Sequence, residues 1–129
     1  MNRTQTEHFI HENFGGIAQD YPWEDSPEYT VFRHVDNHKW FALIMTLRYQ
    51  ALGIDREGSV DIINLKSDPD LIEELVCEPG ILPAYHMNKR HWITLLLDGS
   101  CPADRIHSLI NLSYSLTQSK SRKPHPRPL

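Results

Sequence analysis

The chain has 129 residues, of which 40% are apolar and 23% are charged. This composition fits one globular domain with a single core and argues against wholesale disorder. No apolar run approaches the roughly 18 residues that a membrane-spanning helix needs, and the first residues lack the apolar stretch of a secretion signal. The sequence therefore predicts a single-domain monomer that acts in the cytoplasm and has no membrane partner.

Charge is distributed unevenly along the chain. Four of the 13 basic residues stand in the last eleven positions, which contain no acid, so residues 1–118 carry nine basic and 17 acidic side chains. An acidic body repels phosphate unless its cations gather on one face. We expect residues 1–118 to form the domain and residues 119–129 to be a basic, proline-rich tail, either disordered or appended to the domain.

The N-terminal half predicts one helix and three strands. The helix runs from about Thr6 to Asn13, with Thr6 as its cap and a glycine pair as its stop. The strands cover residues 29–35, 39–47 and 59–66. Asp36, Asn37 and His38 form the hairpin turn between the first two strands, and a mobile connection precedes the third.

The C-terminal half predicts two more helices around one strand or a strand pair. A cap at Ser67–Asp68 opens the second helix, and the strand covers residues 90–97. Pro102 begins the last helix, in which Ser113 is expected to bond back to helix carbonyls. The order α-β-β-β-α-β(β)-α predicts an α+β fold, with an antiparallel sheet packed against helices on one side.

No residue pattern specifies catalysis or a metal. His8 with His11, and His86 with His91, lack the acidic partner of a zinc site. Cys77 and Cys101 are far apart and are expected to be reduced thiols. Glycine loops for phosphate and the usual nucleophile motifs are missing from the sequence. We therefore predict no catalytic residue, no metal, no cofactor and no enzymatic activity.

The densest polar feature is the segment 85–92, which holds two aromatic rings, two imidazoles, an amide and two fixed cations. Lys89 and Arg90 could contact phosphates, while Tyr85 and Trp92 offer stacking surfaces. The alternative is that the cations simply remain in water. For Trp92 we favour a place in the core.

This segment also carries a resemblance to a known family. The run Pro83-Ala84-Tyr85-His86-Met87-Asn88-Lys89-Arg90-His91-Trp92, followed by Leu97-Asp98-Gly99, closely resembles the signature of the MmcQ/YjbR family. Matching pieces in the family's order are Asp20–Pro22, Lys39–Ile44, Leu65–Pro69 and Ser113–Tyr114. The resemblance implies a frataxin-like (CyaY-type) fold and DNA binding, a label that rests on likeness to a double-wing domain.

Three binding hypotheses stay open, and an enzyme acting on an unknown substrate ranks fourth behind them. The resemblance favours a non-enzymatic DNA-binding protein, and the alternative is an adaptor whose pocket takes a small anion or an acidic protein partner. A frataxin-like metal handler is the third, suggested by the fold and by the acids Asp68, Asp70, Glu73 and Glu74. The candidate contacts for DNA or an anion are Lys66, His86, Asn88, Lys89, Arg90, His91 and Tyr114.

Overall fold

The computed structural model describes residues 1–119, so the predicted tail lies outside the described residues except for its first position. Among these residues are three α-helices, one 3-10 helix and six strands. In chain order they are α1 (Arg3–Asn13), β1 (Ile17–Asp20), β2 (Thr30–His34), β3 (Trp40–Arg48), the 3-10 helix (Tyr49–Leu52), β4 (Ser59–Lys66), α2 (Pro69–Leu75), β5 (Ile81–Pro83), β6 (Trp92–Leu96) and α3 (Ala103–Thr117).

The strands form one antiparallel sheet in the order β1-β2-β3-β4-β6-β5. The predicted α+β class and antiparallel sheet are confirmed, and β4 has the predicted bounds. The edge strand β1 was not predicted; it pairs with β2 from Ile17 opposite His34 to Asp20 opposite Val31. The other edge strand, β5, pairs with β6, so the strand pair is the one of the two predicted alternatives that is present.

Helix α1 begins earlier than the sequence pattern indicates. Asn2 is its cap. The Asn2 side chain accepts a hydrogen bond from the backbone N–H of Gln5 at 2.9 Å, and the Gln5 side chain accepts one from the backbone N–H of Asn2 at 2.9 Å. This reciprocal capping box satisfies two donors at the helix start. The predicted cap Thr6 is wrong: it is buried inside the helix, where its hydroxyl donates to the Asn2 carbonyl.

All three helices pack on one face of the sheet, as predicted. They contribute Ile10, Leu75, Ile106, Leu109 and Ile110 to a core cluster whose sheet side includes Phe32, Phe41, Ile44, Ile63, Leu65, Ile93 and Leu95. Burial of each such side chain stabilises the fold by about 1.5–3 kcal/mol. No helix within residues 1–119 is long and apolar enough to cross a membrane.

The opposite face of the sheet is covered by irregular segments instead of helices. Its apolar residues, which include Leu43, Met45 and Ile62, pack against Tyr29, Tyr49, Leu52, Tyr85 and Met87. These covering residues belong to the connection before β2, the 3-10 helix region and the loop between β5 and β6. The connection after β3 is predicted to be mobile. This prediction is wrong in part, because the connection includes the 3-10 helix, which buried Tyr49 anchors to the sheet.

Ser113 joins α3 to the sheet instead of bonding back to its own helix. Its hydroxyl donates to the Phe41 carbonyl at 2.6 Å and accepts from the Lys66 amide at 2.9 Å. Ser113 is fully buried, so these two bonds satisfy backbone groups that water cannot reach. The single hydroxyl thereby fixes α3 against β3 and β4.

Candidate functional site

The loop 84–91 between β5 and β6 is tied to the sheet by a closed ring of hydrogen bonds. The Tyr85 amide donates to Thr94 Oγ1 at 2.9 Å, the Thr94 hydroxyl donates to Asn64 Oδ1, and Asn64 Nδ2 donates to the Tyr85 carbonyl at 3.1 Å. Asn64 and Thr94 are fully buried. Because a buried polar group must find a partner, this ring holds the Tyr85 backbone in one position.

His86 follows the anchored Tyr85 and has a left-handed backbone, with φ at 56°. Few residues other than glycine adopt this region, and such strain gathers at functional sites. The His86 side chain is exposed, and its ring centroid lies 4.1 Å from that of Tyr85. The fold therefore holds an exposed imidazole at the surface of the loop.

Two of the predicted contact residues shape the loop. The Asn88 side chain accepts from the Arg90 amide at 2.8 Å, and the Asn88 carbonyl accepts from the amides of His91 and Trp92. The His91 carbonyl accepts from the Ser67 amide at 2.8 Å, which joins the end of the loop to the start of α2. Asn88 and His91 thus form the turn that presents Lys89 and Arg90.

A recess of about 480 Å³ lies between this loop and the 3-10 helix. We call it the Lys89 recess. Among the described residues, Lys89 is the only one with a fixed charge in its lining, and His86 lines the same recess. The rest of the wall is apolar or aromatic and includes Ala51, Leu52, Leu82 and Tyr85. Such a recess combines apolar walls with a cation and an imidazole, which suits a small anion.

A second recess, of about 420 Å³, shares Tyr85 and His86 with the first. We call it the aromatic recess. Within residues 1–119, no side chain with a fixed charge lines it. Its other walls include Trp23, Tyr29, Trp40, Met45 and Met87.

The predicted cations do not gather at one place. Lys89 and Arg90 line a further recess together with Asp70 and Glu73 of α2. Lys66 lies in another recess, with Lys39, Trp40 and Trp92, and its Nζ is 5.7 Å from the centre of the Trp92 ring. The expectation that Trp92 fills the core is wrong, since this side chain is half-buried beside Lys66.

Tyr114 is separate from the loop. Its hydroxyl donates to the Gly15 carbonyl at 2.8 Å, and its ring packs 4.6 Å from both Phe14 and His34. These contacts belong to the helix side of the sheet, whereas Tyr85 and Met87 pack on the other side. We therefore leave Tyr114 out of the candidate site.

The 3-10 helix, which forms one wall of the Lys89 recess, is anchored by Asp98. The Tyr49 hydroxyl donates to Asp98 Oδ2 at 2.8 Å, and the Arg56 guanidinium lies 4.6 Å from the Tyr49 ring centre. Burial would raise the pKa of the Asp98 carboxyl, but hydrogen bonds from Ser100 and Tyr49 outweigh it and lower that pKa. The bond to Asp98, followed by burial, raises the pKa of Tyr49.

This anchor predicts acid sensitivity. A carboxyl whose pKa is lowered in the folded state stabilises the fold above its unfolded pKa, and that contribution is lost as pH falls through the folded pKa. We expect the free energy of unfolding to decrease as pH falls from neutral through the usual aspartate pKa of about 4 and below it, and Asp98→Asn to reduce this decrease. Urea unfolding across that range measures the effect; identical pH profiles for the two proteins would contradict it.

Metal ligation has no candidate cluster: within residues 1–119, no group of three histidine, cysteine, aspartate or glutamate side chains lies close enough to hold an ion. His8 and His11 turn to different partners, since His8 Nε2 lies 2.7 Å from Glu12 and His11 Nε2 lies 2.6 Å from Gln19. Cys77 is exposed and Cys101 is buried, and neither is in a disulfide. Burial raises the pKa of the Cys101 thiol, which disfavours a reactive thiolate.

Comparisons with known proteins agree with this architecture. The YjbR family model matches residues 13–116. The chain is 44% identical to "Uncharacterized protein YyaQ" of Bacillus subtilis, over 80% of this chain and 87% of the relative. It is 34% identical to "Uncharacterized protein YbdF" of Escherichia coli O157:H7, over 83% of each chain.

Solved structures give the same result. A crystal structure of a Pseudomonas syringae protein is 48% identical and superposes with a TM-score of 0.88, covering 92% of this chain and all of that one. A Deinococcus radiodurans protein, described by its DUF419 domain, is 28% identical with a TM-score of 0.70, covering 94% of this chain and 82% of that one. The sheet, the helices and their order are therefore shared with these proteins.

Proposed function

The chain belongs to the YjbR family, and from the geometry of its loop we propose that it is a non-enzymatic binding module that holds a small anion in the Lys89 recess. The observation that carries this proposal is the placement of Lys89 beside His86 in an otherwise apolar recess. Apolar walls lower the local dielectric, which strengthens the attraction between a cation and a bound anion. We propose that the protein acts as a monomer in the cytoplasm.

Lys89 has no carboxylate within 4.0 Å among the described residues. Arg3, Arg33, Arg56 and Arg105 do have such partners. The ammonium group of Lys89 is therefore available to a ligand. Asp70 and Glu73 stand in the recess that Lys89 shares with Arg90, and they oppose a long polyanion that would contact both cations. This arrangement favours a small anion over a nucleic acid at the loop.

The test is the affinity for inorganic phosphate, measured by calorimetry on the wild-type chain and on Lys89→Ala. We expect Lys89→Ala to weaken binding roughly three- to tenfold, since a partly exposed charge contributes about 1 kcal/mol. Lys39→Ala is the matched control, because Lys39 is also exposed but lies in another recess, and it should leave the affinity unchanged. Equal affinities for wild type and Lys89→Ala would refute the proposal.

DNA binding is the second candidate, and it is supported by a different place on the molecule. Lys39 and Lys66 flank the indole rings of Trp40 and Trp92 around a recess of about 310 Å³. Cations beside stacking surfaces are the features that bind single-stranded nucleic acid. The acidic balance of residues 1–118 opposes it.

Fluorescence anisotropy with labelled single-stranded and duplex DNA tests this second candidate. The full chain is used with Lys120, Arg122, Lys123 and Arg127 changed to alanine, so that the basic tail cannot bind on its own. DNA binding by the fold predicts that Lys39→Ala and Lys66→Ala each weaken affinity and reduce its salt dependence. An absence of binding even at low salt would dispose of the candidate.

A further inference from the structure

The aromatic recess is built from three separate segments of the chain. Trp23 and Tyr29 come from the connection before β2, Trp40 begins β3, and Tyr85 and Met87 come from the loop. Trp23 meets Tyr29 at 5.5 Å and Trp40 at 6.4 Å between ring centres, with interplanar angles of 87° and 85°. These edge-to-face contacts set the rings as walls at right angles to each other.

The recess leaves apolar surface in contact with solvent. Trp23 retains 43% of its surface exposed, although its ring contacts both Tyr29 and Trp40. The part of the chain that the structure describes places neither lysine, arginine, aspartate nor glutamate in the lining. The recess therefore offers a charged ligand group no ion-pair partner. Ring faces together with the Met45 and Met87 thioethers favour a flat aromatic group. The volume of about 420 Å³ lies within the range of small-molecule sites.

The aromatic recess adjoins the Lys89 recess along the Tyr85–His86 wall, since both residues line both recesses. An uncharged aromatic recess on one side and a cation on the other together match a ligand with two unlike ends. We propose that the anion bound by this protein is an aryl anion, whose ring occupies the aromatic recess while its carboxylate or phosphate group faces His86 and Lys89. This inference rests on the proposed function and adds the ligand class.

The three methionines supply a direct test. Methyl-labelled methionine gives signals for Met1, Met45 and Met87, and a bound aromatic ring shifts the methyl signals of residues that it touches. We expect 1-naphthyl phosphate to shift the signals of Met45 and Met87, which line the recess, and to leave that of Met1 in place. Inorganic phosphate should leave all three methyl signals nearly unchanged. The proposal would be overturned if 1-naphthyl phosphate did not change the chemical shifts of the Met45 and Met87 methyl groups.

Affinities for three probes separate this proposal from the proposed function. We expect 1-naphthyl phosphate to bind at least roughly tenfold more tightly than inorganic phosphate, because the aromatic recess removes one face of the naphthyl ring from water. Trp23→Ala should remove most of this gain without changing the affinity for inorganic phosphate. Because Trp23 is exposed, we expect the variant to remain folded. Lys89→Ala should weaken both phosphates but not 1-naphthalenemethanol, which has the ring without the charge.

Results that differ from these expected affinities show whether the aryl subsite or the anion site is wrong. If inorganic phosphate binds through Lys89 and the naphthyl ring adds nothing, the aryl subsite is refuted and the proposed function stands. A third outcome is that 1-naphthalenemethanol binds as tightly as 1-naphthyl phosphate and that Lys89→Ala affects neither affinity. The aromatic recess would then bind a ring, but the charged group of the ligand would contribute nothing, and both proposals would be refuted. If none of the three probes binds, both proposals are refuted.

Discussion

Replacing Asn64 by leucine is expected to lower the free energy of unfolding by about 3 kcal/mol and to release the loop 84–91. Leucine fills the buried position but removes the acceptor of the Thr94 hydroxyl and the donor to the Tyr85 carbonyl. Each buried group left without a partner costs about 1–3 kcal/mol. Urea unfolding measures the loss, and hydrogen exchange at the Tyr85 amide should become faster.

Asn111→Leu is the matched control for this prediction. Asn111 is exposed on α3, where its amide donates to the His107 carbonyl of the same helix. An exposed amide can exchange its partner for water, so the change in stability should stay within about 0.5 kcal/mol. If Asn64→Leu were as harmless as Asn111→Leu, the hydrogen-bond ring would not be what holds the loop.

Gly80→Ala is expected to be at least as damaging to the fold. Gly80 has φ at 75°, and a Cβ at this position would lie 2.6 Å from the Cys101 amide nitrogen and 2.8 Å from the Cys101 Cβ. The left-handed backbone costs about 1–2 kcal/mol for alanine, and the contact with Cys101 forces the backbone to move. We expect the free energy of unfolding to fall by about 3 kcal/mol or more, as measured by urea unfolding.

Gly53→Ala isolates the backbone term from the contact. Gly53 has nearly the same φ, 74°, but an added Cβ there would meet nothing within 4 Å. Its expected cost is therefore only the left-handed backbone, about 1–2 kcal/mol. Equal losses for the two variants would show that close packing against Cys101 contributes nothing at Gly80.

The central strands could be predicted because they are long, mostly apolar segments with turn-forming residues at their ends. Strand β4 keeps its predicted bounds, and the Asp36–His38 turn lies where its side chains favour it, with Asn37 accepting from the Lys39 amide at 2.9 Å. The edge strand β1 escaped prediction because it is only four residues long and half polar. Its pairing with β2 comes from tertiary context, which local propensity does not contain.

The site could be predicted only in part. The density of polar and aromatic residues in the segment 85–92 pointed to the loop at which we propose the site, and Lys89 and His86 line the same recess there. Sequence spacing could not bring Trp23 and Tyr29 to that loop, because they belong to an irregular connection far away in the chain. It also could not identify Asn64 and Thr94 as the anchors, since isolated polar residues in buried strands give no local signal of their partners. Tyr114 enters the predicted set through family resemblance alone, and it lies on the other side of the sheet.

The most direct test of the anion site is an amide chemical-shift map of the full chain titrated with inorganic phosphate. An anion site at Lys89 predicts that the largest shifts fall on the loop, at Tyr85, His86 and Lys89, and on the facing Leu52 and Leu82. It also predicts that Lys89→Ala makes these shifts smaller at the same phosphate concentration. Largest shifts at Lys39, Lys66 and Trp92, or within residues 120–129 alone, would contradict it. In the first of those cases the recess beside Trp92 would be the binding site, and in the second the folded domain would have none for phosphate.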